Sequence, residues 1–211
     1  MTRMKKIKSE KKIKAILFDL GKVILDFNFE PAFSRLARAT PLSVGEIEEY
    51  FWRSGLEVLY DGGKISSLEF HKEVKRVLRH HLSYERFKRV WNEIFTPRKE
   101  IVSLIRRLGT RYRLVLISNT NAMHYAYIRK KYSILNRFDR SVLSFKEKTR
   151  KPDERIYKTA AKACQARPEE IFYIDDREDL TQPAKALGFH VFTYKNNPAQ
   201  LTREMKALNI L

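Results

Sequence analysis

The chain has 211 residues, with 43 Lys and Arg against 25 Asp and Glu, a formal charge of +18. This length accommodates one sizeable domain, or a core with a smaller insert, and 43% hydrophobic residues with 12% aromatics exclude a disordered chain. The charge favours polyanions (nucleic acid, anionic lipid or phosphorylated small molecules) without choosing among them.

Residues 1–14 hold seven basic side chains against Glu10 alone, so a basic N-terminal tail over residues 1–13 is expected. The run Ala15-Ile16-Leu17-Phe18 reads as a buried strand. Asp19 ends it after four residues, short of the ~7–15 of a signal-peptide core. Elsewhere no apolar run reaches the ~18 residues of a membrane span. Cys164 is the one cysteine, which excludes a disulfide framework and a cysteine metal cluster. It reads as an inert thiol on a helix, in keeping with a reducing cytoplasm.

Residues 27–96 show no strand pattern. Ser43-Val44-Gly45-Glu46 and Ser66-Ser67-Leu68-Glu69 match capping boxes. Phe70, Val74, Val77 and Leu78, then Phe87, Val90, Trp91 and Ile94, follow helical spacing. The segment reads as a helical insert whose aromatic stripe (Tyr50, Phe51, Trp52, Phe87 and Trp91) forms its core. His71, His80 and His81 fall on its helices without metal-ligand spacing, and the His80-His81 pair is expected to be solvated.

Beyond the insert, Leu114–Ile117, Ile171–Ile174 and His190–Tyr194 read as strands, with a weaker one at Ser141–Phe145. Helical patterns separate them: one from Pro97 to the stop signal Gly109, others over 152–165, up to Leu187-Gly188, and over 198–208. Strand–helix alternation of this kind predicts a doubly wound, parallel α/β sheet, a Rossmann-like core, with the helical insert following the first strand.

Three strands end in polar clusters: Asp19 with Gly21 and Lys22, Ser118-Asn119-Thr120-Asn121, and Asp175-Asp176. In an open parallel sheet the carboxyl ends share one edge, where ligands bind. Lys151-Pro152 precedes a helix and is expected at the same edge. Taken singly, each is an ordinary turn, cap or solvated residue. Together they are the parts of a metal-assisted phosphoryl transfer. Carboxylates attract Mg²⁺, an oxygen-preferring cation. Such a cation lowers repulsion between an anionic nucleophile and an anionic substrate. Lysine, hydroxyl and amide donors hold phosphate oxygens, and an aspartate can attack to form an acyl-phosphate.

Phe18-Asp19-Leu20-Gly21-Lys22-Val23, Leu114–Asn119, Lys151-Pro152 and Ile174-Asp175-Asp176 resemble, in order, the four motifs of the haloacid dehalogenase-like hydrolase superfamily, over about residues 14–200. The resemblance implies Asp19 as nucleophile, Ser118 binding phosphate with Asn119 beside it, and Lys151 holding nucleophile and phosphate together. It implies Asp176 as metal ligand with Asp175 in support. It also implies a core of residues 14–26 and 97–211, with residues 27–96 as a helical cap that closes over the site. Most members are Mg²⁺-dependent phosphatases. The Asp-Leu-Gly-x-Val form is similar to a capped subgroup that includes sugar-1-phosphate phosphatases and lies near the N-terminal domain of soluble epoxide hydrolases.

Two positions depart from the family pattern. Gly21 stands where typical phosphatases of the family carry a general acid/base Asp; its carbonyl can ligate a metal but moves no proton, a contribution worth roughly 10²–10⁴-fold. Leu180 stands where relatives often have Asn or Asp. His124 is the candidate substitute proton donor, the alternative being a surface or phosphate-ordering histidine. Lys22 and Asp26 flank the site on the way to the insert. The expectation is therefore a cytoplasmic, Mg²⁺-dependent phosphatase of small phosphorylated metabolites such as sugar phosphates. The competing readings are a catalytically impaired basic protein binding nucleic acid, although no recognition motif for it is found, and a 2-haloacid dehalogenase.

Overall fold

A computed structural model describes residues 12–211. The expected tail falls mostly outside the described residues; Ile13, placed in it from sequence, is buried in the core instead. The first strand, β1 (Ala15–Phe18), is completely buried. It lies at the centre of a five-stranded sheet with β4 (Arg113–Ser118), β5 (Arg140–Leu143), β6 (Ile171–Asp175) and β7 (His190–Thr193). The order is β5-β4-β1-β6-β7 and every pairing is parallel. Near-continuous apolar runs suit strands covered on both faces. Alternate residues supply two cores. Ile16, Phe18, Leu114, Leu116, Phe172 and Ile174 face one side, and Leu17, Val115, Ile117 and Tyr173 the other.

After β1 come β2 (Leu25–Phe27), five helices and then β3 (Phe95–Pro97). The helices are α1 (Glu30–Ala37), α2 (Val44–Arg53), α3 (Leu56–Asp61), α4 (Ser67–Leu78) and α5 (Tyr84–Asn92). Both expected capping boxes form, at the starts of α2 and α4. No sequence pattern marks β2 and β3. They pair antiparallel as a neck where the chain leaves and re-enters the core, and three-residue strands are too short to show a period.

The insert packs its own core around Phe33, Phe51, Phe70, Phe87 and Trp91. Trp52 departs from the expected stripe. It is 58% exposed, because neighbours on a helix point roughly 100° apart and Phe51 takes the inward direction. His80 also departs from expectation. Arg79 ends α4 in the left-handed region and turns the chain back, so His80 is buried and stacked on Phe87, with ring centroids 5.5 Å apart. His81 is exposed as expected.

The rest of the core follows in order: α6 (Lys99–Leu108), α7 (Ala122–Lys131), the short α8 (Ser144–Glu147), α9 (Glu154–Cys164), α10 (Glu178–Ala186) and α11 (Pro198–Ala207). Successive strands run outward from β1 to β4 and β5, then cross back to β6 and β7. The order therefore reverses between β1 and β6. Asp19 follows one of those strands and Asp175-Asp176 ends the other, which puts the acidic pair and the candidate nucleophile at the crevice where such sheets bind ligands.

Candidate active site

Lys151, from the loop before α9, reaches the carboxyl edge and lies between two carboxylates. Its Nζ donates to Asp19 Oδ1 at 2.6 Å and to Asp175 Oδ2 at 2.5 Å. All three side chains are within a tenth of full burial. Burial alone would lower the Lys151 ammonium, but the Asp19 and Asp175 charges override it and hold it above its ordinary value. Burial pushes the Asp19 carboxyl up to about 7; Lys151 opposes this, and Asp175 adds to it. A cation at this carboxylate would favour the ionised form. Asp175 is fully committed: Tyr173 Oη also donates to Oδ2, and the Arg177 N–H donates to Oδ1 at 3.0 Å.

Asn119 directly follows β4 and spends its carboxamide on Lys151. Nδ2 donates to the Lys151 carbonyl at 2.9 Å, and Oδ1 accepts the Lys151 N–H at 2.8 Å. The side chain expected to lie beside the phosphate thus holds the lysine loop. Ser118, buried at the end of β4, faces the same edge with Asn119 and Thr120.

Oxygens of Asp19, Asp175 and Asp176 come within 4.8 Å of one another. With Asp175 spent on Lys151, Tyr173 and Arg177, the carboxylates of Asp19 and Asp176 remain to face a cation. Hard oxygen donors in partial number suit Mg²⁺, which keeps several waters. The residues present therefore fit that ion.

A model of the family described as haloacid dehalogenase-like hydrolase matches residues 13–188. The chain is a haloacid dehalogenase-like hydrolase. It is 27% identical over 192 residues to a D-ribitol-5-phosphate phosphatase of Bacteroides thetaiotaomicron, covering 87% of this chain and 93% of that one. It superposes on a HAD family enzyme of the same organism, crystallised with magnesium and inorganic phosphate, with a TM-score of 0.80 at 26% identity, over 90% of this chain and 98% of that one. A protein described as a predicted HAD-like family hydrolase of Porphyromonas gingivalis gives a TM-score of 0.78 at 28% identity, over 93% and 98%. An L-2-haloacid dehalogenase of Xanthobacter autotrophicus shares the fold, with a TM-score of 0.65 at 16% identity, over 94% and 84%.

In this HAD-like hydrolase the helical insert is fastened over the carboxyl edge through the start of α7. Asn121 Nδ2 donates to Asp61 Oδ1 at 3.0 Å, and the Met123 N–H donates to Tyr60 Oη at 3.1 Å. Ser144 Oγ donates to the Asp61 carbonyl at 2.5 Å. Gly63 approaches the Phe145 carbonyl so closely that a Cβ would lie 2.2 Å from its oxygen.

Two cavities adjoin beneath the insert. One, of about 260 Å³, contains Asp19, Lys151 and Asp176, with Arg150 and Arg177 at its wall. The other, of about 200 Å³, runs from Ser118 and Asn119 between aromatic side chains.

His124 is buried, not at the surface. Its Nδ1 pairs with Asn92 Oδ1 at 2.9 Å, its ring stacks on Trp91, and burial lowers it to about 3. A neutral ring whose N–H already points at Asn92 is poorly placed to protonate a leaving group. Lys22 lies at the neck, bound to Asp26 Oδ1 at 2.6 Å and to the Phe27 carbonyl at 2.8 Å. Leu180 is buried and offers its carbonyl to Tyr157 Oη at 2.7 Å, while Tyr173 and Arg177 support the acidic pair. Glu57 and Asp61, on α3, line both cavities and were not singled out from sequence. The available signal was two acids one helical turn apart in a chain dominated by lysine and arginine.

Proposed function

We propose that this protein is a Mg²⁺-dependent phosphatase of small phosphorylated metabolites, acting through an aspartyl-phosphate on Asp19. The observation that carries the reading is the Lys151 ammonium, buried and bonded to Asp19 and Asp175 at 2.6 and 2.5 Å, with Asp176 beside them. The relative named for D-ribitol 5-phosphate and the related enzyme crystallised with magnesium and phosphate support it.

In this reading Asp19 Oδ2 attacks phosphorus while Lys151 keeps Oδ1 in place and meets the transferring oxygens. Ser118 and the backbone N–H groups around Asn119 hold the remaining phosphate oxygens. Asp19, Asp176 and the Gly21 carbonyl would hold Mg²⁺, which neutralises charge between nucleophile and substrate when bound. Water then cleaves the acyl-phosphate, so one difficult displacement becomes two easier ones. The insert, bonded to α7, excludes bulk water during both.

The experiment is a panel of phosphomonoesters with Mg²⁺, run on the wild type and Asp19→Asn. Turnover in the wild type is expected and none in the variant, while Mg²⁺ still raises the thermal midpoint of both. Retained turnover in Asp19→Asn rules the mechanism out.

A further inference from the structure

The second cavity has walls unlike those of a polyol site. Phe27, Phe29, Trp52, Ile94, Phe95 and Ile128 face it, and its polar neighbours are partly committed, leaving the Glu57 carboxyl, the Ser118 hydroxyl and the unpartnered His124 Nε2 as the polar groups open to a substrate. Asp61 Oδ1 takes the Asn121 amide, the Asn119 carboxamide is spent on Lys151, and His124 Nδ1 pairs with Asn92. Several hydroxyls entering here would give up water for few partners, which is costly for each group. A flat apolar group meets the opposite balance. An apolar cavity of about 150 Å³ in another protein accommodates a benzene ring, and this chamber measures about 200 Å³. That is room for one ring and a short link to the phosphate, which would lie near Ser118 and Asn119 where the chamber meets the acidic cavity.

We propose that the preferred substrate is a phosphomonoester of a ring-bearing apolar alcohol, not of a polyol. The inference rests on the phosphatase reading for turnover, and on the chamber alone for binding. The test compares benzyl phosphate with ribitol 5-phosphate. Both leaving groups are unactivated primary alcohols, so their chemistry is matched and recognition decides. With the wild type, kcat/KM for benzyl phosphate is expected to be at least tenfold higher. Trp52→Ala is expected to raise KM for benzyl phosphate at least fivefold and narrow that advantage, and Phe29→Ala should act likewise. Equal or better turnover of ribitol 5-phosphate overturns the inference. Calorimetry of benzyl phosphate with Asp19→Asn separates the two readings. Binding without Asp19-dependent turnover of any ester in the wild type would sink the phosphatase reading and keep the chamber. Turnover of polyol phosphates with no binding of benzyl phosphate would do the reverse.

A separate observation concerns the proton that Gly21 cannot carry. Five residues line both cavities: Gly21, Phe27, Glu57, Asp61 and Asn119. In the phosphatase reading they mark the junction of phosphate and leaving group, where the bridging oxygen would lie. Among them only Glu57 and Asp61 can transfer a proton. Asp61 is fixed by Asn121 and buried, whereas Glu57 is half-buried at the start of α3. We infer that Glu57 is the general acid and base of this site. Its proton passes to the bridging oxygen as the P–O bond breaks and the Asp19 Oδ2–P bond forms. The resulting carboxylate then takes a proton from the water whose oxygen attacks phosphorus, and phosphate leaves as Glu57 returns to the acid.

The surroundings suit that role. Burial raises Glu57 to about 7, Asp61 adds to the shift and Arg150 opposes it. Asp19, Lys22, Lys151, Asp176 and Arg177 face the same cavity, and His124, held neutral, faces the chamber. The test is Glu57→Gln assayed on benzyl phosphate and on nitrophenyl phosphate, whose leaving group needs no proton. Turnover of benzyl phosphate is expected to fall roughly 100-fold, and that of nitrophenyl phosphate less than tenfold. The fall in wild-type kcat as pH rises through about 7 should disappear in the variant, and Glu57→Asp should recover part of the loss. Equal losses on both esters, or an unchanged pH profile, overturn the assignment. If Glu57→Gln lowers the thermal midpoint, Glu57→Ser read on the same pair of esters decides the question.

Discussion

Asn119 holds Lys151 by both ends of one carboxamide, giving a hydrogen bond to its carbonyl at 2.9 Å and taking one from its N–H at 2.8 Å. The pair joins the end of β4 to the loop before α9, and so fixes the distance from the Lys151 ammonium to Asp19.

Asn119→Ala removes that link while leaving Ser118 and Asp19 in place. A side chain that bound phosphate directly would raise KM when lost. One that positions the lysine should lower kcat instead, and a tenfold or larger fall with KM little changed is expected in steady-state assays. Two hydrogen bonds at about 1 kcal/mol each convert to a loss of roughly 4–8 °C in thermal midpoint for a chain of this size.

Lys151→Met tests the charge balance. The Asp19 and Asp175 carboxylates lie on either side of a side chain only 1% exposed. Without the ammonium they face each other in a dry site, and breaking a buried pair in this way costs roughly 3–5 kcal/mol. Turnover is expected to vanish. The thermal midpoint at pH 7.5 should fall by about ten degrees and recover in part at pH 5, where one carboxyl takes a proton, or on adding Mg²⁺. A midpoint equal to the wild type's at pH 7.5 would contradict the arrangement.

Gly21→Asp will not restore the missing acid by simple replacement. A Cβ there would meet Phe27 Cε1 at 3.0 Å. Phe27 is held edge-on by Phe29 and Phe95, with the Lys22 ammonium 4.5 Å from its ring centroid. Forcing an added side chain into packed surroundings costs about 1–3 kcal/mol. The single variant is expected to lose stability and gain no turnover on benzyl phosphate. Gly21→Asp with Phe27→Ala, which clears the ring, should turn over that ester faster than Phe27→Ala alone.

Much of this was legible in the sequence for definite reasons. The strands of the parallel sheet are buried on both faces, so each left an uninterrupted apolar run, and each run ended where the chain turned polar at the site. Asp19, Ser118 and Asp175 all lie at such ends, whereas Lys151 was legible from its place before a helix. Asn119 was found but not its task, because a carboxamide that serves a backbone looks in sequence like one that serves a ligand. The neck strands β2 and β3 were too short to show a period. Trp52 and His80 were misplaced because helical spacing gives a stripe but not the one-residue step or the left-handed turn that takes a side chain off it. Glu57 depends on where α3 docks against α7 and α8, a contact between segments far apart in the chain.

Acid stability gives a last test, with the sign set by the buried histidines. Burial, aided by the charges of His71, Lys75 and His81, lowers His80 to about 4; burial alone lowers His124 to about 3. In the unfolded chain both sit near 6.5. Below that value the unfolded state takes up protons that the folded state refuses, so stability is full above about 6.5 and falls as pH drops towards 4. For His80 the cause is specific: Nδ1 accepts the Leu82 N–H at 3.2 Å, and a proton on that nitrogen breaks the bond. For His124 a charged ring would lie against Trp91 and Phe95 and loosen the insert from α7. Glu57 and Asp61 act in the opposite sense, since their raised values of about 7 and 6 favour the folded state as pH falls. The histidine share must therefore be read by difference. Thermal midpoints taken from pH 7.5 to 4.5 should fall by several degrees more in the wild type than in His80→Phe. Parallel curves for the two proteins would show that the buried imidazole does not control the acid limb.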